Sequence, residues 1–371
     1  MRVLIAPQEF KGSLSAEEAA DAIAAGIRDV HPGWELDLLP MSDGGPGFID
    51  AMRRAANCEV IEQLVSDPLG RPVLATYLVV RGSGEILIEA AQANGLMHLN
   101  PAERDALRAG TAGVGELLAA AVRHNPSRIV IGVGGSATTD GGAGMATALG
   151  ARMTSETGDP LPPGGGALAD LARIDWSPPG WLARTSVVVA SDVRNPLVGG
   201  EGAAVVYGPQ KGATPVQVDQ LEAALVRYAS VLRRSLGVDV AGIPGGGAAG
   251  GLAAGLVAFL GATIVSGFDV VAEATGLLTR LAAADLVITG EGRFDAQSLQ
   301  GKTTGRLLDL ARKQGKPVLV FAGQVLGAND TPAFSLLDME PDPELAMANA
   351  AQLLRAAARN HAAKLPKVTP S

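Results

Sequence analysis

Five acidic residues share one setting in this chain, a loop at the end of an apolar run, most of them with glycine close by. They are Asp43 in Pro40-Met41-Ser42-Asp43-Gly44-Gly45, Asp140, Asp192 in the segment Ser191 to Leu197, and Glu291 and Asp295 in Gly290-Glu291-Gly292-Arg293-Phe294-Asp295. Taken singly, each reads as a turn or helix cap. Together they fit a site that binds Mg²⁺ and handles a proton, because Mg²⁺ keeps water and substrate phosphates in its shell and needs only one or two carboxylates. Cations occupy matching loops: Lys11 in Phe10-Lys11-Gly12-Ser13, Lys211 in Gly208-Pro209-Gln210-Lys211-Gly212, and Arg293. Placement between glycines rather than along helix faces directs these three towards anions. Gly301-Lys302-Thr303 looks like the end of a Walker A loop, but Ala296 stands where the first glycine belongs and no strand directly precedes it, which argues against a P-loop.

The stretch from Ile129 to Gly150, IVIGVGGSATTDGGAGMATALG, supplies the second element of chemistry. A β-branched run ending at Val133 passes into a glycine-rich turn ahead of a helix near Ala143 to Leu149. The backbone at Gly134, Gly135, Gly141 and Gly142 can approach a ligand closely, and free N–H groups with Ser136, Thr138 and Thr139 converge on an anion at the helix N-terminus. Asp140 in this loop would serve a metal-bridged phosphate. Three readings stand: a phosphate cradle, a tight turn needing positive φ, and a dinucleotide fingerprint. The last rests on Gly132 to Ala137 as G-x-G-x-x-A with Glu156 near the acidic position.

These loops need a scaffold, and bulk properties bound it. A length of 371 residues favours two domains, 47% hydrophobic residues provide an ample core, and 48 glycines suit an enzyme with several ligand loops. A net charge of −8 argues against a nucleic-acid partner. Cys58 is the only cysteine, so an internal disulfide is excluded, and His31, His98, His124 and His361 show no metal-ligand spacing. The N-terminus lacks a signal-peptide run and no apolar stretch reaches the ~20 residues of a membrane span, so a cytoplasmic protein without membrane contact is expected. Its oligomeric state is open, a homodimer included.

Along the chain, Arg2 to Ala6 reads as a strand, Ala16 to Val30 as a helix with Ser15 and Glu18 forming a capping box, and Glu35 to Leu39 as a second strand. Consecutive strands follow between Val60 and Ala91, the mark of an antiparallel or mixed sheet. Ser186 to Ala190 and Ala284 to Thr289 read as buried strands. A helix over about Thr304 to Gln314, a strand over Pro317 to Ala322 and a helix around Glu344 to Asn360 complete the chain. The fold expected is α/β in two domains. Both chain ends (1–60 plus 280–371) form a Rossmann- or flavodoxin-like parallel-sheet domain, and a mixed-sheet α/β domain (61–279) is inserted between them.

In sequence order the motifs resemble one family, the glycerate kinases of the bacterial glycerate 2-kinase type. The resemblance rests on Ala6 to Ala16 (APQEFKGSLSA), Pro40 to Gly47 (PMSDGGPG), Gly134 to Met145, Asp192 to Leu197, Gly208 to Ala213 (GPQKGA), and Gly290 to Gln297 with Gly301-Lys302. It covers nearly the whole chain. What it implies is ATP-dependent, Mg²⁺-assisted phosphorylation of D-glycerate, usually to 2-phosphoglycerate, with the small hydroxy acid in a cleft between domains. On that resemblance Gly134, Gly135 and Ser136 would hold nucleotide phosphate, and Asp192 and Asp295 would position Mg²⁺ or activate the hydroxyl. Lys11 and Arg293 would neutralise the carboxylate or the transferring phosphoryl.

Two departures from the family pattern bear on the acceptor. Gln8-Glu9 stands where the pattern has Asp-Ser, and Pro46 where it has Glu. The alternatives are therefore a kinase re-specialised for a modified glycerate or other hydroxy acid, or a relative that binds ligand with weakened catalysis. An NAD-dependent oxidoreductase rests on Gly132 to Ala137 alone.

Overall fold

A computed structural model describes residues 1–296, 298–299, 303–327 and 331–364. Lys302, named above, lies outside the described residues. In chain order the strands are β1 Arg2–Ile5, β2 Glu35–Leu38, β3 Cys58–Ser66, β4 Pro72–Val80, β5 Ile86–Glu89, β6 Arg128–Gly132 and β7 Arg152–Thr154. They continue with β8 Arg173–Asp175, β9 Ser186–Ala190, β10 Thr263–Val265, β11 Leu286–Phe294, β12 Val318–Val325 and β13 Ala333–Ser335. The chain divides into two compact units. The first is Met1–Asp43, Asp50–Ala55 and Phe268–Ser371; the second is Gly44–Ile49 and Ala56–Gly267. The fold is α/β, and among the described residues no helix is long and apolar enough to cross a membrane.

The first unit is built on a wholly parallel five-stranded sheet of order β13-β12-β11-β1-β2. Its first helix, Ala16–Arg28, starts where the sequence puts it: the Ser15 side chain accepts from the Glu18 N–H while Glu18 reaches back to the Ser15 N–H. Ala19, Ala20, Ile23, Ala24 and Ile27 recur at helical spacing and are fully buried. This face meets helix Ala350–Ala362, and Gly26 lets the two approach, since a Cβ there would lie 2.2 Å from the Arg355 carbonyl oxygen.

Strand β11 departs from expectation. Instead of ending at Thr289 it runs on through Gly290-Glu291-Gly292-Arg293, paired with β12 as far as Phe294 opposite Val325. The glycines make this extension compatible with what packs on the strand. A Cβ on Gly290 would lie 2.3 Å from the Phe321 carbonyl oxygen and 3.1 Å from the Phe10 ring, and one on Gly292 would lie 3.0 Å from the Lys11 nitrogen. The expected C-terminal helix is also two helices, Pro343–Ala348 and Ala350–Ala362.

The second unit carries a mixed six-stranded sheet of order β10-β9-β6-β5-β4-β3 and a separate β7-β8 ribbon. The hairpins β3-β4-β5 are antiparallel, as the uninterrupted run of strands predicted, and β5, β6, β9 and β10 are mutually parallel. Ile129, Ile131, Val187 and Val189 from the adjacent strands β6 and β9 join one large core with Leu117, Leu118, Tyr228 and Leu252 from helices. The ribbon disposes of the dinucleotide reading. After β6 and its helix the chain enters the separate β7-β8 ribbon and rejoins the sheet only at β9, parallel to β6, so the compact βαβ unit that the dinucleotide fingerprint requires is not formed. Glu156, the would-be ribose ligand, pairs with Arg227 on the surface.

Candidate active site

In a parallel α/β sheet, ligands bind outside the carboxyl ends of the strands, where successive crossovers diverge to opposite sides. The first unit has one such point. From β1 the chain moves to β2 on one side, and from β11 it moves to β12 and β13 on the other, so the switch lies between β1 and β11. Lys11 follows β1, Asp43 follows β2, and Glu291, Arg293 and Asp295 lie at the end of β11. The β1 loop is fixed on β11 by the Gln8 N–H donating to the Gly290 carbonyl at 2.8 Å and by Phe10, which is buried. Lys11 is exposed, Asp43 half-buried and Glu291 buried.

Arg293 and Asp295 form an ion pair at 3.0 Å in which the guanidinium side is 64% exposed and the carboxylate 19%. The Asp295 N–H donates to the Ser298 hydroxyl and the Ser298 N–H to the Asp295 carboxylate, which fixes the turn after β11. Glu9, absent from the sequence-derived site, has its carboxyl raised above the ordinary range, first by burial and then by the Asp43 charge, with Lys11 opposing. A carboxyl held above its ordinary range by burial, beside a lysine at a switch point, keeps its proton to higher pH than an exposed glutamate would.

The second unit gathers Gly134, Gly135, Ser136 and Asp192 at the carboxyl ends of the neighbouring strands β6 and β9. Among the described residues, the N–H groups of Gly134, Gly135 and Ser136 donate to no backbone or side-chain acceptor, although flanking residues are tied down: Val133 to Ala190, Leu96 to the Gly135 carbonyl, Ala137 to Asn94. Three consecutive unspent backbone donors after a buried strand are groups that an anion can take up. The glycines have a further reason that sequence reasoning assigned to ligand approach. A Cβ on Gly134 would lie 2.5 Å from the Gly45 Cα, one on Gly135 would lie 2.6 Å from the Pro46 Cγ, and one on Gly132 would lie 2.5 Å from the Gly44 carbonyl oxygen. The protein's own chain, Gly44 to Phe48, fills the space that side chains would need.

Thr138, Asp140 and Lys211 lie beneath this loop rather than on it. Asp140 is 0% exposed, and its carboxylate accepts from the Thr111 N–H at 2.9 Å, the Thr111 hydroxyl at 2.8 Å, and the Gly142 and Gly144 N–H groups at 3.1 and 3.0 Å. Four donors make it a brace between the starts of helices Ala112–Ala121 and Ala143–Ala148, a structural role in place of the exposed loop carboxylate that the sequence suggests. Lys211 is 2% exposed and donates to the Ser136 hydroxyl oxygen at 3.1 Å and the Thr138 carbonyl at 2.5 Å.

Sequence reading missed Glu89, Asn94 and Thr111. Glu89 ends β5 beside Gly132, is buried, and accepts from the Ile49 N–H at 3.1 Å. Asn94 supports Thr138 through its amide, and Thr111 serves Asp140. Only Glu89 carried a signal, a carboxylate closing an apolar strand; the other two are ordinary polar residues whose partners lie tens of positions away.

The glycerate kinase family model matches residues 3–365. The chain belongs to the glycerate kinase family. It is 44% identical over 96% of both chains to the glycerate kinase of Halalkalibacterium halodurans, and 42% identical over 98% of both to that of Bacillus subtilis. It is similar to the glycerate 2-kinase of Escherichia coli, 42% identical over 88% of this chain and 86% of that one. A crystal structure provisionally assigned as glycerate kinase 2 from Salmonella typhimurium LT2 superposes with a TM-score of 0.79 at 43% identity, covering 98% of this chain and 97% of the other. Membership makes the chain a phosphotransferase with an alcohol group as acceptor.

Proposed function

We propose that the protein is an ATP-dependent kinase that phosphorylates D-glycerate at its 2-hydroxyl. The observation that carries the reading is the run of unspent N–H donors at Gly134, Gly135 and Ser136, a loop built to hold phosphate. Because Lys211 already donates to the Ser136 oxygen, the Ser136 hydroxyl keeps its proton for an external acceptor and joins the same donor set. Phosphoryl transfer asks the protein mainly for alignment and charge neutralisation, which suits amide donors and cations. Lys11 and Arg293 take the acceptor's carboxylate or the transferring group. Glu291 and Asp43, with Glu9, are the carboxylates available to accept the hydroxyl proton.

Among the described residues no three His, Cys, Asp or Glu side chains cluster as a metal site. Asp192 at the end of β9, in the second unit beside the unspent donors after β6, would offer hard oxygen donors to a Mg²⁺ ion shared with nucleotide phosphate, for which one or two carboxylates suffice; Asp295 would offer the same chemistry in the first unit, where its carboxylate also takes Arg293 and the Ser298 N–H. When bound, the ion supplies neutralisation of phosphate charge.

Coupling to enolase tests acceptor and product together, since enolase consumes 2-phosphoglycerate directly whereas 3-phosphoglycerate requires an added mutase. Turnover with D-glycerate, ATP and Mg²⁺ that needs no mutase and stops on chelation is expected. No ADP release with glycerate or close hydroxy acids would overturn the reading. A large gain for Gln8→Asp with glycerate would instead mark an acceptor site re-specialised at this position.

A further inference from the structure

The contacts of Lys211 are directed inward. It sits on the turn Pro209–Lys211 of the second unit, followed by Gly212 at φ +93°, where a Cβ would lie 2.8 Å from the Arg104 carbonyl oxygen. Arg104 also donates to the Gln210 carbonyl at 3.2 Å, so the turn is held from outside. From this anchor the side chain runs under the glycine loop and spends its ammonium on Ser136 Oγ and the Thr138 carbonyl, two residues that flank Ala137. Thr138 is held from another side by Asn94. The charged group facing Lys211 is Asp140 from the loop, with Arg104 on the outer side of the turn; the buried phenol of Tyr228 faces Asp140 in turn and donates to the Gly141 carbonyl.

We infer that Lys211 is a positioning residue that holds Gly134, Gly135 and Ser136 in their donor-presenting arrangement from beneath, and that it does not itself touch the phosphate. By taking up the Thr138 carbonyl it fixes the end of the loop, and by donating to Ser136 Oγ it dictates which way the Ser136 proton points. The inference rests on the reading of this loop as a phosphate holder and deepens it. The burial that lowers Lys211 to about 7 fits a group enclosed by protein.

The test compares full-length wild type with Lys211→Met and Lys211→Ala. Hydrogen exchange of the ligand-free chain is expected to quicken at the Ala137 amide, the loop donor that is tied to the Asn94 carbonyl between the two Lys211 contacts, in Lys211→Met by about tenfold or more, the factor one charge-assisted hydrogen bond carries. Exchange in helix Pro215–Leu236 should stay unchanged. The ATP KM should rise by about tenfold or more while the glycerate KM moves little, and propylamine, but not propanol, should restore Lys211→Ala. Unchanged loop exchange in Lys211→Met, with or without a change in ATP KM, overturns the proposal. If both variants fail to fold, the Lys211 Nζ resonance of the wild type decides: little change on saturation with Mg²⁺ and a non-hydrolysable ATP analogue supports positioning, and a large shift shows direct contact and refutes it. Wild type without kinase turnover would defeat the functional reading, while the exchange measurement would still decide whether Lys211 sets the loop.

Discussion

Replacing Lys211 by methionine removes a buried titratable group and keeps nearly its shape, so its effect on stability against pH can be worked out. Burial disfavours the ammonium and, although Asp140 pulls the other way, lowers Lys211 from the usual 10.5 to about 7. Between those values the unfolded chain binds one proton more than the folded chain, so wild-type stability rises with pH across that window; below about 7 the full cost of a buried charge remains. At 1.36 kcal/mol per pH unit the whole span is about 5 kcal/mol. Methionine has no such dependence, though it leaves Ser136 Oγ and the Thr138 carbonyl without their donor, an offset of about 1–3 kcal/mol each. The stability of wild type minus that of Lys211→Met should therefore grow by about 1.4 kcal/mol per pH unit from about pH 7.5 to about pH 9.5. Urea denaturation followed by tryptophan fluorescence measures this, since Trp176 and Trp181 both lie in the second unit. Parallel curves for the two proteins would refute the burial argument.

Other perturbations follow from the same geometry. Asp140→Asn turns one of two oxygens that together accept four hydrogen bonds into a donor facing donors, and should lower second-unit stability by about 3 kcal/mol; an unchanged melting temperature would remove the brace. Gly134→Ala drives a Cβ into the Gly45 backbone and should cost about 2 kcal/mol or more, whereas Gly180→Ala, with nothing within 4 Å, should stay within about 0.5 kcal/mol. Glu9 is raised in the folded state by burial and then by Asp43, so its contribution is favourable below the ordinary 4.5 and is lost as pH rises through the folded value. Glu9→Gln should accordingly be more stable than wild type near pH 7, with the advantage vanishing at about pH 4; equal stability at both would show Glu9 to be fully hydrated.

What could be read from the residues alone was whatever is enforced within a few positions. The Ser15–Glu18 box marks a helix start by local hydrogen bonding. Runs such as IVIG and SVVVA mark buried strands, and the succession β3-β4-β5 without helices marks an antiparallel sheet, because a parallel crossover needs more chain. Composition and motif order were sufficient to point to the family. The acid-bearing loops were legible because glycine beside a carboxylate at a strand end is unusual in pattern.

Tertiary structure alone decided what each glycine and each charge is for. Gly134 and Gly135 look alike in sequence whether a phosphate or Pro46 approaches them, and only the fold brings Gly44 to Phe48 onto β6. Asp140 reads in sequence as a ligand-loop carboxylate, yet it is enclosed by donors from Thr111, Gly142 and Gly144 and becomes a brace. Lys211 reads as a loop cation until its neighbours enclose it. Strand β11 runs past its apolar segment because pairing with β12 supplies hydrogen bonds that local propensity could not forecast. In each case the deciding partner lies far along the chain, and burial, which sets both the cost of a charge and the space for a side chain, is a property of the assembled neighbours and not of any single stretch.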